Sequence, residues 1–108
     1  MDLALKALAA PRRRAILQLV RHAELSSGAI AARFEVSGPA ISQHLGVLKE
    51  AGLVSERRDG TRRLYRARPE GMADVRRFVE DFWDEVLDRL REVAERAQRD
   101  NDKEQDHG

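Results

Sequence analysis

Residues 37–67, SGPAISQHLGVLKEAGLVSERRDGTRRLYRA, carry a helix signal and a hairpin signal joined by a glycine stop. Ile41, Leu45 and Leu48 recur at i, i+4 and i+7, one face of a helix, and Ser37 stands where an N-cap belongs. Gly52 falls at C′, with Leu53 placed to pack back on Leu48. Asp59-Gly60 is a strong hairpin signal, reading as a two-residue type I′ loop between Arg58 and Thr61. That register sets Val54 opposite Tyr65, Ser55 opposite Leu64, Glu56 opposite Arg63 and Arg57 opposite Arg62. Like charges directly opposite destabilise a hairpin, so the Arg57/Arg62 pair implies an anion held near them.

The helix in this stretch is rich in residues that weaken helices. Interior glycine costs about 1 kcal/mol relative to alanine, and interior proline about 3. Gly38 and Pro39 fall in the first turn, where proline costs little, and Gly52 ends the helix. Gly46 alone is interior. With Ile41, Leu45 and Leu48 setting the core direction, Gly38, Pro39, Ser42, Gln43, Gly46 and Lys49 point outward. That face is small and polar with few charges, which suits close approach to base edges. Gln43 can contact adenine in bidentate fashion, and Ser42 can donate or accept at several bases.

The flanking segments are helical. Leu3, Leu5 and Leu8, with Ala4, Ala7 and Ala9, make a short first helix. Pro11 starts a second that buries Ile16, Leu17, Leu19 and Val20, and Ser26 caps a third with Ile30, Ala31 and Phe34 inward. After Pro69 a long helix runs to about residue 98, its apolar stripe built on Met72, Val75, Val79, Phe82, Val86, Leu90, Val93 and Ala97. Half of this stripe is expected to cover the core. Phe82, Trp83, Val86, Leu87 and Leu90 would then form an exposed patch of the size that marks an interface. Residues 99–108 hold no apolar side chain and are expected to form a disordered acidic tail beyond one domain over 1–98. The fold class is therefore mainly α with a small β-hairpin, in the order α-α-α-α-β-β-α. That order places a helix-turn-helix at residues 26–51 and a wing at 54–67, a winged helix-turn-helix that presents its second motif helix to a DNA major groove.

Charge agrees with a nucleic-acid partner once it is divided by position. Residues 1–68 hold 13 Lys and Arg against 6 Asp and Glu, whereas residues 69–108 hold 7 against 13. A basic body of this kind points to a polyanion. The absence of cysteine excludes disulfides, thiolate metal sites and thiol catalysis. No apolar run approaches the roughly 18 residues of a membrane span, and the N-terminus lacks a signal-peptide layout, so a cytoplasmic protein without a membrane partner is expected. Ser42 and His44, at i, i+2, do not face each other as nucleophile and base, and no phosphate-cradling glycine loop is present. No enzymatic activity and no cofactor are expected. His22, His44 and His107 lie in separate segments, and Asp84 with Asp88 reads as a solvated face, so no metal site is expected either. Arg12, Arg13 and Arg14 oppose the dipole of the helix they open; phosphates or salt bridges to the acidic last helix are their expected partners.

VSGPAISQHLGVLKEAGLV, followed by the Arg-rich hairpin ending RRLYRA and preceded by PRRRAILQLV, resembles the ArsR family of bacterial winged-helix repressors over about residues 3–95. The resemblance implies a homodimer paired through its first and last helices, here through Leu3, Leu5, Leu8, Val79, Phe82, Trp83, Val86, Leu87 and Leu90. It implies binding to an inverted-repeat operator in double-stranded DNA, repression, and release by an effector whose identity the sequence leaves unknown. Carried over, the DNA-contacting positions are Ser37, Gly38, Pro39, Ser42, Gln43 and His44, with wing contacts from Arg57, Arg58, Arg62 and Arg63. Members often carry Arg or Gln where this chain has Gly38, and Lys or Arg where it has Gly46. Ala10 and Arg12 replace the Asp and Thr of the frequent DPTR pattern, which removes a helix cap. A metal-responsive repressor and a winged-helix protein-interaction module are the alternatives.

Overall fold

In the computed structural model, which describes residues 1–106, the elements are α1 (Asp2–Leu8), α2 (Pro11–Val20), β1 (Leu25–Ser26), α3 (Ser27–Phe34), α4 (Gly38–Glu50), β2 (Val54–Asp59), β3 (Arg62–Ala67) and α5 (Pro69–Asp106). The helix punctuation is local chemistry. Ser26 Oγ accepts from Ala29 N–H at 3.1 Å and Ser37 Oγ from Ala40 N–H at 3.3 Å, each satisfying one orphan donor of a first turn. At the end of α4, Gly52 takes φ +76°, and the Leu53 and Gly52 amides donate to the Leu48 and Lys49 carbonyls, both at 3.0 Å. This is the double closure of a Schellman end.

Met1–Val75 form one compact unit. Its core centres on Ile16, Val20, Ile30, Ile41, Leu45, Leu48 and Leu53, all removed from solvent, with Ala7, Val54, Tyr65 and Val75 around them. The apolar faces expected for α2, α3 and α4 all supply this core. The strands form a three-stranded antiparallel sheet in the order β1-β3-β2, with Leu25 paired to Tyr65 and Ser26 to Leu64. The two-residue β1 extends the expected hairpin to a sheet. A strand that short has no periodicity by which to be seen.

The hairpin register differs from the expected one by two residues. Val54 pairs with Ala67, Glu56 with Tyr65, Arg57 with Leu64, Arg58 with Arg63 and Asp59 with Arg62. The loop is therefore Gly60-Thr61, with positive φ at Gly60 alone. A type I′ loop on Asp59-Gly60 needs positive φ at both positions, whereas the II′ arrangement places that demand on the glycine only. The expected Arg57/Arg62 juxtaposition disappears with this shift.

Among the described residues Arg12, Arg13 and Arg14 form no salt bridge to the acidic last helix. Arg13 donates from Nε to the Ala7 carbonyl at 2.7 Å and from Nη2 to the Lys6 carbonyl at 3.1 Å. Arg14 Nη1 donates to the Leu8 and Ala9 carbonyls at 2.7 and 3.2 Å. The last three carbonyls of α1 and that of its C-cap Ala9 thus accept from two cations at the negative end of its dipole. Isolated helices under about 12 residues are marginal, so this cap helps to explain how a seven-residue α1 holds. The Arg12 guanidinium lies 5.1 Å from the centre of the Phe34 ring.

The residues from Arg76 onward form a second unit, a single run of helix within α5. The helix continues to Asp106, past the end expected near residue 98 and through most of the segment expected to be disordered. No glycine or proline interrupts residues 99–106, and Gln98 Nε2 donates to Asp102 Oδ1 at 3.2 Å, an i, i+4 link. His107 and Gly108 lie outside the described residues. The stripe on α5 is divided along its length rather than around its girth: Met72 and Val75 join the core, whereas Phe78, Val79, Phe82, Trp83, Leu87, Leu90 and Val93 are exposed and Val86 is half-buried. Leu3 and Leu5 of α1 are exposed as well, but Leu8 is half-buried against the core, so only part of it is available to a partner.

Candidate nucleic-acid interface

The outward face of α4 is built as its spacing predicts. Ile41, Leu45 and Leu48 are buried, while Gly38, Pro39, Ser42, Gln43, Gly46 and Lys49 are exposed. A Cβ on Gly46 meets nothing within 4 Å, and neither does one on Gly38. Among the described residues nothing therefore requires glycine at position 46 on steric grounds. The Ser37 side chain is occupied as the α4 cap, and His44 is half-buried on the flank of the helix.

The strand alternation sorts the arginines of the wing onto two faces. Val54, Glu56, Arg58, Arg63 and Tyr65 share one face; Ser55, Arg57, Asp59, Arg62 and Leu64 share the other. The first is the face toward α4, since Lys49 Nζ lies 3.3 Å from Glu56 Oε2. Arg58 and Arg63 stand directly opposite one another there, and Arg58 has no ion-pair partner among the described residues. On the other face Arg57 donates to both oxygens of Glu24, at 2.6 and 3.2 Å, and Arg62 lies 3.4 Å from Asp59. The hydrogen bond from Arg57 is the main cause that holds the Glu24 carboxyl below its ordinary value. The four expected wing contacts therefore divide into two on the face toward α4, of which Arg58 is unpaired and Arg63 pairs with Glu56, and two on the other face, each paired with a carboxylate.

Glu56 is the acidic residue within this basic surface. Its carboxylate accepts from the Tyr65 hydroxyl at 3.2 Å and lies 3.7 Å from Arg63 Nε, besides its contact with Lys49. Partial desolvation pushes its carboxyl upward, but the hydrogen bonds from Lys49 and Tyr65 and the nearby Arg63 outweigh this, so it titrates below 4.5. The same contact and the burial of the ring raise the Tyr65 hydroxyl. Glu56 thus ties the C-terminal end of α4 to both strands of the wing. Its ionised form is favoured by folding, so that contribution is present above pH 4.5 and is lost as pH falls through the lowered value. Glu56→Gln is expected to flatten the acid limb of the stability profile, measured by thermal melts between about pH 3 and 6. An unchanged limb would contradict the arrangement.

Glu24, Glu56 and Tyr65 were not singled out from the sequence as parts of this surface. Alternation alone carried the signal: with Val54 and Tyr65 facing inward, Glu56, Arg58 and Arg63 fall on the core side of the hairpin in either register. No metal-binding group of three or more His, Asp or Glu side chains occurs among the described residues. No described helix is long and apolar enough to cross a membrane.

A family profile described as a helix-turn-helix domain matches residues 8–57. The chain is 46% identical over 86 residues to the HTH-type transcriptional regulator Rv2034 of Mycobacterium tuberculosis, spanning 80% of each protein. It is 42% identical over 60 residues to the transcriptional repressor SdpR of Bacillus subtilis, spanning 56% of this chain and 67% of that one. The solution structure of a homodimeric winged helix-turn-helix DNA-binding domain from Mycobacterium bovis, described as a possible ArsR-family transcriptional regulator, superimposes with a TM-score of 0.64 at 38% identity, covering 80% of both chains. With the capped α3–α4 pair, the Schellman exit into a wing and this similarity across four-fifths of its length, the chain belongs to the ArsR family of winged helix-turn-helix transcriptional regulators.

Proposed function

We propose that this protein is a homodimeric repressor that lays α4 of each copy into successive major grooves of a pseudo-palindromic operator. The observation that carries the reading is the outward face of α4. It is small and polar, its interior glycine has no internal steric reason, and the unpaired Arg58 with Arg63 stands on the same side of the wing. Sequence readout falls to Ser42 and Gln43, and Arg58 and Arg63 supply phosphate contacts that position them. The homodimeric relative, together with exposed Leu3, Leu5, Val79, Phe82, Trp83, Leu87 and Leu90, supports pairing through α1 and α5. Twofold symmetry then sets half-sites about 34 Å apart, one helical turn.

Fluorescence anisotropy on DNA from the chain's own upstream region, against a shuffled sequence and over a salt series, tests the proposal. Preferential binding with a steep inverse salt dependence is expected; equal binding to both sequences at every salt would overturn it. Gly46→Ala separates the fold from the function of α4. Alanine is expected to stabilise the helix by about 0.5–1 kcal/mol while its methyl group weakens operator binding at the close-approach face. A variant that is more stable and binds equally well would remove Gly46 from the interface.

A further inference from the structure

We infer that a cavity of about 270 Å³ in the Met1–Val75 unit binds a small amphipathic carboxylate, with Arg14 and Arg21 on its head group and Leu8, Leu17, Ala67 and Met72 around its tail. The volume lies just below the roughly 300–1,000 Å³ of small-molecule pockets, which restricts the ligand to a short chain or a single ring. Arg14, Gln18 and Arg21 line it at i, i+4 and i+7, with no carboxylate among the lining residues.

Both arginines are anchored yet keep donors to spare. Arg14 uses Nη1 on the Leu8 and Ala9 carbonyls, and Arg21 uses Nε on His22 Nε2 at 2.9 Å. Neither forms an ion pair among the described residues. Held guanidinium forks with free N–H groups match a carboxylate, and the apolar wall selects an anion that carries hydrocarbon. An inorganic anion leaves that wall wet, and a neutral alcohol leaves the forks unmatched.

The site also has a route to regulation. Leu8 lines the cavity and its carbonyl accepts from Arg14, so a bound carboxylate competes for the cation that caps α1. Because α1 also presents Leu3 and Leu5, occupancy lowers operator affinity; this consequence rests on the dimeric-repressor reading, while the binding site does not.

Isothermal titration of the full chain with octanoate, octanol and acetate, without DNA, tests the site. Octanoate is expected to bind about tenfold or more tighter than either control, and Arg21→Gln, which disturbs no α1 carbonyl, to lose about tenfold. Ala67→Leu, filling the cavity, is expected to abolish binding with thermal melts confirming the fold. Octanoate binding no tighter than octanol, or unchanged in both variants, would overturn the site. So would binding only to dissociated chains, which would assign the cavity to a second copy. Anisotropy then reads the coupling: octanoate weakens operator binding of the wild-type chain but not of Arg21→Gln. Binding without that loss overturns the regulation and leaves the site standing. Absence of operator binding by the unliganded protein overturns the repressor reading instead.

Discussion

Gly71→Ala is expected to unfold this protein or reduce its stability by more than about 3 kcal/mol, out of the roughly 5–15 that a domain possesses. A Cβ at position 71 collides with the Gly52 carbonyl oxygen and falls 2.8 Å from its carbon and 3.3 Å from Leu53 Cα. All three are backbone atoms in a turn that cannot yield. The Gly52 and Leu53 amides close the end of α4, and the Arg68 amide donates to the Leu53 carbonyl at 2.8 Å. Relieving the clash means lifting the first turn of α5, and with it Met72 and Val75, out of the core, or opening the Schellman end. Overpacking against side chains costs about 1–3 kcal/mol, and backbone gives less. Gly28 is the control: a Cβ there meets nothing within 4 Å, and alanine in the first turn of α3 is expected to be neutral or mildly stabilising. Urea unfolding of both variants decides the matter. A Gly71→Ala variant within about 1 kcal/mol of wild type would contradict the contact.

The second large effect separates the wing arginines. Arg58→Ala with Arg63→Ala is expected to weaken operator binding about a hundredfold at low salt and to reduce the salt slope by close to two phosphate contacts. Arg57→Ala with Arg62→Ala is expected to change it by less than about fivefold, because those side chains lie on the face of the wing away from α4, where they meet Glu24 and Asp59. Both double variants remove the same formal charge, so a long-range electrostatic effect would weaken them equally. Anisotropy titrations over a salt series distinguish the two outcomes. Equal losses would mean that the two faces of the wing do not differ in their distance from DNA.

The elements that supply the core were legible because their signals are local. Ser26, Ser37, Pro11 and Gly52 act through bonds to residues a few positions away, and all four mark the helix ends they were expected to mark. The outward face of α4 was legible for the same reason, since a helix sorts its side chains by spacing alone. The hairpin was expected but its register was not, because Asp59-Gly60 and Gly60-Thr61 compete as loops. Gly60-Thr61 asks for positive φ at the glycine only, whereas Asp59-Gly60 asks for it at the aspartate too. The salt bridges expected from Arg13 and Arg14 to the last helix, because charge signs pointed only to carboxylates, are replaced by bonds to backbone carbonyls. The groups that needed these cations were neutral carbonyls at the end of a helix too short to close itself.

The sequence by itself determined the order of the helices and the hairpin, the capped helix pair, the wing, the face of α4 and the family. Each of these is encoded by neighbours within a turn or a hairpin. Tertiary structure alone decided that Gly71 must lack a side chain and that Glu56 joins α4 to the wing. It also decided that Arg57 is spent on Glu24 while Arg58 stands open. The physical reason is distance along the chain. Gly71 is read by Gly52, and Arg57 by a residue 33 positions earlier, so spacing and composition cannot bring them together.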